Sequence, residues 1–146
     1  MMSRLRRLLG RFLVLIFAST CAPASSSAQS KAPQFLPLAQ ITTTLARAEF
    51  DGFIDQLDQF TEEEGFVLQT RPPLGSRNLN CVIRLGENTF FYVDNRLTAT
   101  IVHVIAYSQN AGIDWRSPWQ RLADRLRASF GTQRVIVQTC DGKTCR

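Results

Sequence analysis

"LNCVIRLGENTFFYVDNRLTATIVHVIAY", residues 79–107, decides the fold. Apolar and polar side chains alternate through it with the two-residue period of half-buried strands. Leu79, Cys81, Ile83 and Leu85 share one face, and Asn80, Val82 and Arg84 the other. Gly86-Glu87-Asn88 turns the chain into a second strand over 89–93. Asp94-Asn95 has the composition of a type I′ hairpin turn, because both residues tolerate positive φ. The longest run, 97–107, divides into Leu97, Ala99, Ile101, His103, Ile105, Tyr107 and Thr98, Thr100, Val102, Val104, Ala106. Strands joined this closely predict an antiparallel meander.

Working outward, the period changes from 2 to 3.6 on both sides. Upstream, Phe50, Phe53, Ile54, Leu57 and Phe60 make one apolar stripe, which predicts a helix over about 44–64. Asp51, Asp55, Asp58 and Glu62 fall opposite as a row of carboxylates, and Gly65 ends the helix. Glu62-Glu63-Glu64 lies at the negative end of the dipole, an arrangement that stability alone would not choose. Downstream, Ser117, Pro118 and Gln120 read as N-cap, N1 and N3 of a capping box. Trp119, Leu122, Ala123, Leu126 and Phe130 form the stripe of this second helix, and Arg121, Asp124 and Arg125 face out before Gly131 closes it. Further strands are expected over 66–71 and 134–138. The run "QFLPLAQI" could add a strand, which Pro37 would confine to an edge. Two amphipathic helices and an antiparallel sheet bury their apolar faces most simply on each other. The expected class is therefore α+β, a two-layer sandwich of four to five strands in the order α-β-β-β-β-α-β.

The ends of the chain speak to compartment. Arg4, Arg6, Arg7 and Arg11 precede the short apolar run "FLVLIFA" and the small, polar "STCAPASSSAQS". This is the grammar of a secretory signal peptide, with cleavage expected after Ala28. The apolar run is shorter than the roughly 18 residues of a membrane span. Arg6-Arg7 also permits twin-arginine export. Cys21 follows small residues, as a lipid-anchored cysteine does, but Ala18 stands where Leu is usual, so Cys21 is read as lost with the leader. Residues 29–41 are expected to be a linker or extended arm, and 42–146 one domain in the periplasm or outside the cell. Four of the 17 basic residues and none of the 12 acidic ones lie in 1–28. The net charge of +5 is therefore mostly the leader's, and nucleic-acid binding is not indicated.

Export makes disulfides admissible. Asp141-Gly142 lets Cys140 and Cys145 face each other, so a local Cys140–Cys145 bridge is expected; the rival is a long-range bridge to Cys81. Catalytic signatures are sparse. The one histidine, His103, sits among Val and Ile, which reads as a half-buried core histidine with a hydrogen-bond partner and excludes a His-rich metal site. Cys81 with His103 is the thinnest of enzyme readings, because a nucleophilic thiol must be accessible. No C-x-x-C and no phosphate cradle occur, and C-x4-C alone does not hold zinc. No cofactor is expected.

Charge is polarised: 49–64 carries seven acids and no base, and 116–146 seven bases and two acids. Either the two helices attract each other, or each offers a charged face to a partner. The expected function is an exported, non-enzymatic accessory protein that binds a protein partner, as an inhibitor, immunity-type protein or envelope assembly factor does. Its expected contacts are Asp51, Asp55, Asp58 and Glu62, with Trp115 and Arg116 as a second patch, although Trp115 could equally pack as a staple. The loop 71–78, "RPPLGSRN", pre-shaped by two prolines, is a further candidate surface. The alternative is a small-ligand or lipid carrier with a pocket between helices and sheet, lined by Phe90, Tyr92, Ile101 and Tyr107.

Overall fold

A computed structural model describes residues 35–95, 100–109 and 113–146. The expected leader, its cleavage site, Cys21 and the first residues of the strand expected over 97–107 lie outside them. The chain forms β1 (Pro37–Thr44), a 3-10 turn (Arg47–Glu49), α1 (Phe50–Glu64), β2 (Val67–Gln69), β3 (Asn80–Gly86), β4 (Thr89–Asp94), β5 (Ile101–Ser108), α2 (Arg116–Phe130), a second 3-10 turn (Thr132–Arg134) and β6 (Val135–Thr139). The described residues are of the α+β class: one antiparallel sheet of six strands, ordered β2-β3-β4-β5-β1-β6, with two helices.

The meander β3-β4-β5 is where the alternation placed it. Its buried face is Cys81 and Ile83, Phe91 and Val93, then Val102, Val104 and Ala106. Both helices supply the other half of this core: Phe50, Phe53, Ile54, Leu57 and Phe60 from α1, and Trp119, Leu122, Ala123 and Leu126 from α2. Trp119 meets Phe91 edge-on at 5.1 Å. Phe130, the last residue of the expected α2 stripe, is only partly buried.

Four corrections follow from tertiary structure. Residues 37–44 form an interior strand between β5 and β6, although the linker or edge strand was expected to run to Ile41 and the domain to begin at Thr42. Pro37 is tolerated because it is the first residue of β1, beside a register shift. The sheet therefore has one strand more than expected, and the element order begins with β. Next, α1 starts at Phe50 rather than near Thr44, because Thr44 still pairs with Ile101. Asp94-Asn95 does not close a two-residue hairpin: Val93 pairs with Val104 and Asp94 with His103, so the link from β4 to β5 is longer. Finally, α2 begins one residue before the expected cap. Asp114 accepts from the amides of Arg116 and Ser117 at 3.0 and 3.3 Å and from the Ser117 hydroxyl. Gln120 bonds Asp124 at 2.9 Å instead of reaching back.

At the far end of α1, Gly65 takes φ 69°. Its amide reaches Glu62 and that of Phe66 reaches Thr61, the paired bonds of a Schellman cap. Beyond β6 the chain turns through Asp141-Gly142, and Thr139 and Arg146 exchange backbone bonds at 3.0 and 2.8 Å. Cys140 and Cys145 are disulfide-bonded across this hairpin, and among the described residues Cys81 is the free, buried thiol. The local bridge is thus the one formed. Among the described residues no helix is long and apolar enough to cross a membrane.

Candidate functional site

The acid row of α1 is not a bare charged strip. Asp58 accepts from Arg71 Nε at 2.6 Å, and Asp55 lies 3.9 Å from the same guanidinium. Asp51 accepts the Gly75 amide at 2.9 Å. Glu62 is exposed. Further along, Glu64 takes both arms of Arg121 at 2.5 and 2.6 Å, and Glu63 pairs with Arg125. The charge polarity therefore links α1 to α2 and to the 71–78 loop through exposed ion pairs and hydrogen bonds. Trp115 is half-buried, edge-on to Trp119 at 6.4 Å, with Arg116 4.9 Å over its ring. Its ring packs beside Trp119 at the start of α2.

Those acids organise the loop between β2 and β3. Arg71 and Gly75 are tied to α1 as described, and the Ser76 amide donates to Pro73 at 3.0 Å to close a turn. The other end is gripped by Asn95, whose Oδ1 accepts the Leu79 amide at 2.8 Å and whose Nδ2 donates to the Arg77 carbonyl at 2.5 Å. Pro72 is buried. Leu74 stands at the tip, 70 % exposed. Arg47 and Arg77, both exposed, line a hollow of about 140 Å³ between this loop and the start of α1. Sequence reasoning noted the loop but missed Leu74. The signal was an apolar residue between Pro73 and Gly75, where neither strand nor helix can carry it inward.

The second surface is the face of the sheet that no described helix covers. Phe90, Tyr92, Ile101 and Tyr107, expected to line a pocket between the layers, stand here instead, all half-buried. The reason is parity: their neighbours Phe91, Val93, Val102, Val104 and Ala106 already fill the helix side. Phe90 stacks on Tyr107 at 5.2 Å, and Phe35 meets Phe90 edge-on at 5.1 Å. Burial raises the Tyr107 hydroxyl's pKa above its usual value. Nearby, Gln40, Asp94, His103 and Ile105 line a hollow of about 240 Å³. Gln40 Nε2 donates to Thr42 Oγ1 at 3.0 Å and to His103 Nδ1 at 3.1 Å. His103 therefore has the hydrogen-bond partner expected of it, but stands on the open face and not in the core, because Val102 and Val104 take the helix side.

Cys81 is 1 % exposed, and burial, with the charge of Asp58 second, pushes its pKa up to about 12. Its side chain points into the helix-covered core, whereas His103 faces the other way, so the two are not brought together. Among the described residues no group of three potential metal ligands occurs. No family model, curated protein or solved structure matches the chain.

Proposed function

We propose that this is an exported, non-enzymatic accessory protein that binds a protein partner through the 71–78 loop. The carrying observation is Leu74, 70 % exposed at the tip of a loop whose two ends and middle are all fastened to the fold. An exposed leucine on a slack loop is unremarkable; one on a fastened backbone loses less loop entropy on binding, which favours a tight anchor. The partner is read from the surroundings: an apolar pocket for Leu74 with an acidic rim for Arg47 and Arg77. The leader pattern and the Cys140–Cys145 bridge support export, and the buried, high-pKa thiol of Cys81 argues against thiol catalysis.

A photo-crosslinking residue at position 74, expressed in the native host, should join the protein to one discrete polypeptide; the same group at Glu87 should not. With that polypeptide purified, Leu74→Ala should weaken binding by about 2 kcal/mol while leaving thermal stability within about 0.5 kcal/mol. Crosslinking from Glu87 as strong as from position 74, or unchanged affinity of the alanine variant, would sink the reading. Asp51→Asn should weaken binding less, by loosening the loop without touching the partner.

A further inference from the structure

We propose that the outer edge of β6 docks one extended, apolar segment of a partner polypeptide, which joins the sheet as a further strand. β6 is the last strand of the sheet and pairs with β1 alone. Which backbone groups it leaves over follows from parity. Thr139 exchanges both of its backbone bonds with Arg146, at 3.0 and 2.8 Å, and the Cys140 amide donates to the Leu38 carbonyl at 2.9 Å. Thr139 therefore faces outward, and its neighbour faces β1. In an antiparallel ladder this direction alternates residue by residue. Gln138 and Ile136 are thus bonded to β1, whereas Val137 turns its N–H and C=O outward, and Val135 its C=O. Arg146 covers the edge at Thr139. Among the described residues no strand covers it at Val137 and Val135.

The two edges of the sheet are not alike. β2 has three residues and stops at Thr70, whose φ of 58° breaks the extended path. A short or irregular edge resists added strands, as Lys and Pro do. β6 has five residues, keeps unbroken register with β1, and carries neither charge nor proline along Val-Ile-Val-Gln-Thr. Ile136, 56 % exposed, stands where a guarding charge would. It lies on the helix-free face, because it pairs with Thr42 and Thr42 with His103. Val135 is buried on the opposite face, and Val137 partly so. The Cys140–Cys145 bond closes the hairpin that brings Arg146 to Thr139, which fixes one end of the open stretch. The edge thus asks for backbone donors and acceptors at strand spacing, with an apolar side chain beside Ile136. An extended peptide supplies both, whereas a helix spends its backbone groups internally. Two β6 strands do not serve each other. Setting Val135 of a second copy against Val137 would bring that copy's Gln133 to the place Arg146 holds. This edge is the opposite one from β2, which leads into the 71–78 loop, and the proposal stands or falls without that loop.

The test is amide hydrogen exchange followed by ¹H–¹⁵N NMR, on the folded protein with its disulfide intact. In the free protein the Ile136 and Gln138 amides should exchange slowly and the Val137 amide fast. The probe is the peptide acetyl-Glu-Thr-Val-Ile-Val-Thr-Glu-amide. It should give saturable shifts along β6 and slow the exchange of Val137. The same peptide N-methylated at both valines keeps the side chains but loses the edge-facing donors, and should bind about tenfold more weakly. Ile136→Lys should also weaken binding about tenfold, by setting a charge on the edge. Ile136→Ser, a milder change, keeps the comparison available if Ile136→Lys does not fold. Val137 exchange that slows with protein concentration in the absence of peptide would identify a second copy as the occupant and overturn the proposal. So would binding without added protection at Val137, equal binding by the methylated peptide, a folded Ile136→Lys of unchanged affinity, or no binding at all.

Discussion

Asn95 shows how a residue can have turn composition and yet serve tertiary structure. Its amide bridges the Arg77 carbonyl and the Leu79 amide, 18 and 16 positions away. It is 4 % exposed, so losing the bridge would leave backbone groups buried and unmatched. Local preference could not reveal this, because a side-chain amide that mimics a turn also satisfies distant backbone. Glu49 carries a different signal. Its carboxylate pairs with Arg134 and accepts the Ala46 amide at 2.6 Å, and these bonds hold its pKa down from 4.5 to about 2. A depressed acid contributes stability that is present above its unfolded pKa and lost as pH falls through the folded one. The urea midpoint of Glu49→Gln should therefore lie below that of the unaltered protein at neutral pH. The gap should narrow below about 4.5 and close near 2. A gap that stays constant down to that acidity would mean the carboxylate's charge is not what matters.

At the scale of elements, the three glutamates ending α1 oppose its dipole when that helix is considered alone. Glu63 and Glu64 make sense only with Arg125 and Arg121 of α2 alongside. The pairs lie at the surface, so each contributes little. Arg121→Glu should destabilise by more than Arg121→Gln, because it adds repulsion against Glu64. The charge-swapped double variant with Glu64→Arg should recover most of the loss in a thermal melt. No recovery would show that the pair contributes nothing measurable. Both helix stripes were readable from spacing, because burying one face of a helix requires the 3.6-residue period. The start of α2 was misassigned because Asp114 and Ser117 are both good caps, and only the path of the preceding chain selects between them.

For the whole molecule, the decisive element is β1. It lies between β5 and β6, and its Ile41 is fully buried. Ile41→Ala should cost about 2–4 kcal/mol, measured by urea denaturation, as large a penalty as a core position of the meander. A loss below about 1 kcal/mol would mean this strand is the dispensable arm its composition suggests. Composition reads the stretch up to Ile41 as linker or edge strand because Pro37 and the polar Gln40 and Thr42 mask a short alternation. That alternation places Ala39, Ile41 and Thr43 inward. The α+β class, the meander, both helix stripes and the Cys140–Cys145 bridge were legible without coordinates. Each follows from a period or a spacing that local geometry alone can satisfy. Strand order, the interior place of β1, the fastening of the 71–78 loop by the α1 acids and the face bearing the His103 hollow were not. These depend on which long-range partners meet, and one chain's pattern of apolar residues says that a face is buried without saying what buries it.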